Sequence, residues 1–120
     1  MFTLGESHCF HLYSQPTDMR KSFDSLCGIV RNELSQSPIS GDVFVFINKN
    51  RNKMKLLHWG GSSFVLYYKR LEGGVFEQFD YGIKTGSYQL DYPQLVMLVD
   101  GISIKNIDRK KVYHKESKNI

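Results

Sequence analysis

Two histidines and a cysteine near the N-terminus are the residues whose types best suit metal binding. His8, Cys9 and His11 lie close together in the chain, and in a strand Cys9 and His11 would share a face. A zinc site needs further ligands, however, and neither His58 nor His114 has a spacing that supplies them. We therefore interpret the group as ordinary strand residues and predict no metal and no cofactor.

Covalent and metal-assisted catalysis have no signature in the chain. Cys27 falls on the apolar face of a predicted helix, where thiols are usually inert. The sequence contains no Gly-x-Ser-x-Gly elbow, and its glycine pairs lack the lysine-serine pattern of a phosphate loop. Its carboxylates are scattered, whereas a two-metal nuclease needs them to converge. We predict that the protein is not an enzyme.

Basic residues concentrate in a central turn, where asparagines alternate with them. The basic members are Lys49, Arg51, Lys53 and Lys55. Their charges would neutralise phosphates, and the asparagine amides would bond phosphates or base edges, so the pattern favours DNA binding. The alternative is that the turn only keeps a hairpin soluble. We expect supporting contacts to DNA from Arg20, Lys21, Lys69 and Arg70.

An aromatic group follows this turn. Its members are His58, Trp59, Tyr67 and Tyr68. Such rings can stack on the bases of a single strand. They can also pack into a core or anchor a protein partner, since aromatic side chains beside apolar runs are usually buried.

The elements that must position these residues begin with a helix. Thr17 or Asp18 is the expected N-cap, because a short polar side chain accepts hydrogen bonds from the unpaired amides of a first turn. An apolar residue then recurs every three or four positions, which gives the helix one apolar face. The members of that face are Met19, Phe23, Leu26, Val30 and Leu34.

A β-hairpin is predicted next. Residues 42–47 are β-branched and aromatic, as expected of a buried strand, and residues 54–59 return as a second strand after the basic turn. The segment 64–71 is ambiguous, because its apolar residues fit a helix and also one face of a strand. We favour a short helix.

The last part of the chain predicts a strand pair and a helix. Residues 75–79 and 87–90 are expected to pair. Asp91 and Gln94 have the spacing of a capping box, and Gly101 stands where the helix would end.

Composition indicates one small domain. The chain has 120 residues, 41% of them hydrophobic and 23% charged, with a net charge of +4. Because the elements show no βαβ rhythm, we predict an α+β fold with an antiparallel sheet, a central basic-tipped hairpin and two or three helices. The domain is expected over residues 1–110, followed by a basic, frayed tail over 111–120.

The setting predicted from the sequence is the cytoplasm. No signal peptide is recognisable, and no stretch approaches the roughly 20 apolar residues of a membrane helix, so we expect no membrane association. Cys9 and Cys27 show no disulfide pattern and are expected to be reduced thiols.

An ordered set of motifs resembles one known family. In chain order the motifs are Pro16-Thr17-Asp18-Met19-Arg20-Lys21 with Phe23-Asp24 and Leu26; Ser40-Gly41 with Val43 to Phe46; Lys55-Leu56-Leu57-His58-Trp59; Phe64 with Tyr68-Lys69-Arg70-Leu71-Glu72, Gly74 and Phe76; and Gln94-Leu95 with Leu98, Asp100, Gly101 and Ile102. Together they resemble the small accessory protein, usually called TnpB, of insertion sequences of the sixty-six type. The chain departs from the family pattern at Gly60, where an acidic residue is usual, and at Ser25, where glycine is common.

This resemblance implies a place in DNA transposition. Such elements also encode a separate, much larger transposase with its own acidic catalytic triad, so the small protein is implied to be a non-catalytic accessory. The implied partners are DNA at the element ends and the transposase. The alternative is a module that docks on the transposase through the aromatic group without touching DNA. An RNA-guided nuclease that shares the name TnpB is a far longer protein, and none of its motifs is present here.

Overall fold

The computed structural model of the protein describes Gly5 and residues 7–77 and 85–103. Within these residues the elements are β1 (Phe10–Tyr13), α1 (Phe23–Asn32), β2 (Val43–Ile47), β3 (Lys53–Trp59), β4 (Phe64–Arg70), β5 (Gly74–Val75), β6 (Ser87–Leu90), α2 (Tyr92–Asp100) and β7 (Ile102–Ser103). The predicted tail at 111–120, and with it the predicted end of the domain, lies outside the described residues.

A five-stranded sheet in the order β4-β3-β2-β1-β6 forms the centre of the fold. β2, β3 and β4 follow one another as antiparallel neighbours, and β6 is antiparallel to β1. β1 and β2 are parallel, with Phe10 opposite Val43. A parallel pair needs a long crossover, which here contains α1. The α+β class and the mostly antiparallel sheet are confirmed, but β1–α1–β2 is a βαβ unit that the sequence pattern did not indicate.

The two helices cover opposite faces of this sheet. Alternate side chains of a strand point to opposite sides, so the central strands β2 and β3 contribute to both cores. On the α2 face, Val43 and Leu56 share a buried cluster with Leu95 of α2. On the α1 face, Phe44 and Leu57 pack in a second cluster whose helical members come from α1. The helical members buried on the α1 face are Leu26, Cys27 and Val30.

α1 begins later than predicted, at an N-cap formed by Ser22. The predicted cap at Thr17 or Asp18 is wrong, because Asp18 forms a turn instead: its Oδ1 accepts a hydrogen bond from the Arg20 backbone N–H at 2.9 Å. An aspartate bonds a nearby amide equally well in a turn and at a helix end, so the residue type alone does not distinguish them. Of the predicted apolar face, Leu26 and Val30 are buried within the helix and Leu34 is buried just beyond its end, whereas Phe23 at its start is 41% exposed.

The segment 64–71 is a strand over most of its length, and the favoured helix is wrong. β4 pairs with β3 along its whole length, from Trp59 opposite Phe64 to Lys53 opposite Arg70. This pairing provides hydrogen-bond partners for the backbone and turns Phe64 towards the α1 face. The partner strand is therefore what decides between the two patterns that the segment fits.

The predicted pairing of residues 75–79 with 87–90 is also wrong, as far as the described residues reach. β5 pairs with β7, and β6 pairs with β1; residues 78 and 79 lie outside the described part of the chain.

The predicted start of α2 is confirmed by a reciprocal capping box. Asp91 Oδ1 accepts a hydrogen bond from the Gln94 backbone N–H at 2.8 Å, and Gln94 Oε1 accepts one from the Asp91 N–H at 2.9 Å. Gly101 ends the helix with a φ of 77°. Neither described helix has the length and apolar character that crossing a membrane requires.

Candidate nucleic-acid interface

A cleft of about 610 Å³ opens between the loop that precedes α1 and the turn that joins β2 to β3. We call it the basic cleft. Its lining residues are Pro16, Thr17, Asp18, Met19, Arg20, Asn48, Lys49, Asn50, Lys53 and Tyr68. Parallel pairing of β1 with β2 explains why these distant segments meet: the chain leaves the end of β1 at the same edge of the sheet where β2 ends.

One wall of the basic cleft, residues 16–21, is held against the sheet by backbone bonds. The buried Thr17 donates its backbone N–H to the carbonyl of Ile47 at 2.8 Å. Lys55 Nζ donates to the carbonyl oxygens of Met19 at 2.7 Å and of Lys21 at 2.6 Å. The loop is therefore fixed at both ends, although it contains no regular secondary structure.

Lys55 is consequently not at the hairpin tip, where the sequence placed it. It lies inside β3 opposite Phe46, and only 6% of its surface is exposed. Its side chain crosses the α1 face to reach the two carbonyls and passes 4.7 Å from the centre of the Tyr68 ring. The position is that of a residue that supports the cleft wall from behind.

Asp18 and Arg20 form an ion pair on the same wall. The Arg20 guanidinium donates to Asp18 Oδ2 from Nε at 3.0 Å and from Nη2 at 2.6 Å. These bonds, together with the Arg20 backbone N–H, lower the pKa of the Asp18 carboxyl to about 2. The carboxylate thus stays ionised and partly neutralises Arg20 at this rim.

The opposite wall is a turn built by Asn48. Its side-chain Oδ1 accepts the backbone N–H groups of Asn52 at 3.0 Å and of Lys53 at 2.9 Å. Its Nδ2 donates to the side chain of Asn52 at 2.8 Å. The turn is closed by Arg51 at a left-handed φ of 61°. Two of the predicted base-reading asparagines therefore bond each other and the turn, while Asn50 remains exposed.

Arg51 is directed away from the basic cleft. Its guanidinium Nη2 donates to the carbonyl of Phe76, and the Phe76 N–H donates to the Arg51 carbonyl at 2.6 Å. Burial lowers the pKa of Arg51, a shift that Glu77 opposes. This side chain ties the segment after β4 to the hairpin turn.

Of the other residues predicted to contact DNA, some form side-chain hydrogen bonds within the described part of the protein and others do not. Lys69 Nζ donates to the carbonyl of Val99 in α2 at 2.7 Å, and Arg70 Nε donates to Glu72 at 2.8 Å. Lys21 and Lys49 are exposed and Lys53 is half-buried. Within the described residues, no hydrogen bond or ion pair engages the ammonium groups of these last three lysines.

The four predicted aromatic anchors do not share one surface. Trp59 and Tyr68 point to the α1 face, where Trp59 stacks edge-on against Phe64 at 4.8 Å. His58 and Tyr67 point to the α2 face, and His58 is buried. Tyr68 joins the basic cleft, and its 52% exposure leaves much of its ring accessible there.

The histidines near the N-terminus take part in separate contacts. His11 Nε2 lies 2.8 Å from Asp42 Oδ2, while the rings of His8 and His58 meet edge-on at 5.1 Å. Burial and the charge of His8 lower the pKa of His58, whereas a hydrogen bond from its ring to the backbone carbonyl of Gly41 opposes this shift. In the described part of the chain, no group of three or more histidine, cysteine or acidic residues gathers as a metal site would require.

Sequence reasoning missed the contribution of Pro16, Thr17 and Met19 to the basic cleft. The sequence pattern predicts a helix start at this segment, and a helix start does not indicate the wall of a cleft. The signal for a loop was the proline followed by a threonine and an aspartate, residues that favour turns as much as caps.

Comparison with known proteins finds one matching family and two similar proteins. The model of the family described as IS66 Orf2 like protein matches residues 8–109. Two relatives come from Sinorhizobium fredii (strain NBRC 101917 / NGR234). The uncharacterized protein y4jC is 31% identical over 99 residues, which cover 82% of this chain and 83% of the relative. The uncharacterized protein y4hO is 33% identical over 86 residues, 72% of this chain and 73% of the relative. No solved structure matches the chain.

Proposed function

Because the chain belongs to the family of IS66 Orf2-like proteins, accessory proteins of insertion sequences, we propose that it binds DNA through the basic cleft. It has no catalytic step of its own in this proposal. The observation that supports DNA binding is the arrangement of Lys49 and Lys53 at the rim of the cleft, opposite the fixed loop 16–21.

The charge of the cleft rim suits a phosphate backbone. Lys49 and Lys53 line the cleft and present ammonium groups that are not engaged within the described residues. The single carboxylate among the lining residues, that of Asp18, is already paired with Arg20. A phosphate approaching this rim therefore meets an excess of positive charge, and its binding would release condensed counterions.

The test is a salt titration of DNA binding. Each phosphate contact makes the slope of log K against log salt concentration more negative by about 0.9. We expect the double variant Lys49→Gln, Lys53→Gln to lose affinity for a duplex of the element's terminal inverted repeat and to show a slope that is less negative by about 2. Fluorescence anisotropy with the repeat and with a scrambled duplex would separate recognition of sequence from binding of phosphate alone.

Arg31 supplies the control. It is exposed on the last turn of α1, remote from the loop at the other end of the helix, and Arg31→Gln also removes positive charge. If the double variant binds with the affinity and salt slope of Arg31→Gln, the cleft is not the DNA site.

A second candidate function is docking on the transposase of the same element. It is favoured by exposed apolar side chains on α2, where Val96 is 49% and Met97 is 58% exposed, and by Tyr67 on the same face of the sheet at 47%. We expect Met97→Ser to weaken capture of purified transposase. Ile39→Ser is the matched control, because Ile39 is equally exposed at 58% but lies in the loop between α1 and β2. Equal capture by both variants would exclude this surface.

A further inference from the structure

The basic cleft combines three kinds of recognition chemistry. Tyr68 contributes an aromatic ring, Asn50 an exposed amide, and Lys49 and Lys53 contribute ammonium groups. A phosphate backbone needs only the ammonium groups. The ring and the amide match the flat face and the polar edge of a nucleic-acid base.

The Tyr68 ring is held in place for such a contact. Lys55 Nζ lies 4.7 Å from its centre, and that ammonium is itself fixed by the carbonyls of Met19 and Lys21. The ring is nevertheless 52% exposed. A fixed, half-exposed ring loses little conformational entropy when a base stacks on it.

A duplex does not present the surface that this ring would bind. Bases inside a double helix are stacked on one another, so a protein reaches only their edges from the grooves. An unpaired base exposes its π-face and can stack on an aromatic side chain.

We propose that the basic cleft binds an unpaired nucleotide of single-stranded DNA. The base stacks on Tyr68, and the flanking phosphates contact Lys49 and Lys53. The inference rests on the proposed function, since it specifies the form of DNA that the same cleft receives.

The first test compares DNA forms with the unchanged protein. Three labelled probes of equal length are used: a single strand, the same sequence as a duplex, and a single strand in which abasic sugars replace the bases. We expect the single strand to bind at least about 5-fold more tightly than the abasic strand, which carries the same phosphates, and more tightly than the duplex. Equal affinity for the single strand and the abasic strand would overturn the inference.

The second test uses neighbouring tyrosines of β4. Tyr68→Ala is expected to weaken single-strand binding by about 5- to 150-fold, the range for losing one base–aromatic stack, whereas Tyr68→Phe retains it. Tyr67→Ala is the matched control, because Tyr67 has a similar exposure of 47% but points to the opposite face. Thermal melts confirm that each variant is folded. If Tyr68→Ala binds like Tyr67→Ala, the stacking contact does not exist.

The outcomes separate the two proposals. One possible result is that the protein binds duplex DNA, loses this binding in the Lys49→Gln, Lys53→Gln variant and shows no preference for unpaired bases. This result would support DNA binding by the cleft and overturn the proposal that a base stacks on Tyr68. Failure of every DNA probe to bind overturns both.

Discussion

Replacement of Lys55 by methionine tests whether this lysine supports the wall of the cleft. Methionine keeps the length and the apolar stem of the side chain but removes the ammonium that bonds Met19 and Lys21. Hydrogen bonds from a charged donor contribute about 1.5–3 kcal/mol each, which sets an upper limit of about 6 kcal/mol for two. The substitution also removes the cost of burying a charge at a site that is 6% exposed. We expect a net loss of about 2 kcal/mol in the free energy of unfolding.

Two measurements report this change. Urea denaturation gives the free energy directly, and the melting temperature is expected to fall by about 5–12 °C for a domain of this size. Limited trypsin digestion reports on the loop itself, because Arg20 and Lys21 are trypsin sites within it. Cleavage there is expected to accelerate once the carbonyls lose their partner.

Lys53→Met is the matched control on the same strand. Lys53 points to the same face as Lys55 but is only half-buried, and its ammonium is not engaged within the described residues. Its substitution is expected to change the free energy of unfolding by less than about 0.5 kcal/mol. If Lys55→Met melts at the temperature of this control and is cut no faster, the ammonium does not hold the loop.

Three further predictions concern other parts of the fold. Burial lowers the pKa of His58 below its ordinary 6.5, so at falling pH the unfolded chain binds a proton on this residue before the folded protein does, and the free energy of unfolding is expected to fall below about pH 6.5. Denaturation at pH 7.5 and 5.5 should show a smaller loss of stability between the two pH values in His58→Gln than in the unchanged protein. An equal loss would contradict the lowered pKa of His58. The Asp18 carboxyl is expected to titrate near pH 2 by NMR and to return towards 3.8 in Arg20→Gln, because the guanidinium bonds are the main cause of the shift; an unchanged titration would show that the pair does not form in solution. Gly101→Ala is expected to cost about 1–3 kcal/mol in thermal or urea unfolding, since its φ of 77° and ψ of 179° belong to a region that is essentially confined to glycine. Gly73→Ala, whose added Cβ meets nothing within 4 Å, serves as its control, and equal melting of the two would refute the argument.

Elements determined by nearby residues were predictable from the sequence. The capping box of α2 needs only Asp91 and Gln94, three positions apart, and both bonds form as expected. The β2–β3 hairpin joins two apolar runs through a turn of asparagines and basic residues, and it also forms. In these cases the information that fixes the structure lies within one short segment.

Elements determined by distant partners were not predictable from the sequence. β4 fits two periodicities, and only its pairing with β3 selects one. The role of Lys55 depends on carbonyls more than 30 positions earlier in the chain, so charge and spacing alone assigned it to DNA. The basic cleft was not predictable for the same reason, because its walls come from distant segments that the parallel β1–β2 pair brings together.

The crossover between β1 and β2 also bears on the order in which the protein folds. β2, β3 and β4 are joined by short turns, so their pairing closes only small loops. β1, in contrast, pairs with β2 only after the segment that contains α1, and it pairs with β6 near the other end of the domain. Contacts of high sequence separation form slowly. We expect pulse-labelled amides of β2–β4 to gain protection before those of β1 and β6, and simultaneous protection would contradict this. The hairpin wall of the cleft would then exist before its opposite wall, so that a newly made chain gains its binding site only at the last stage of folding.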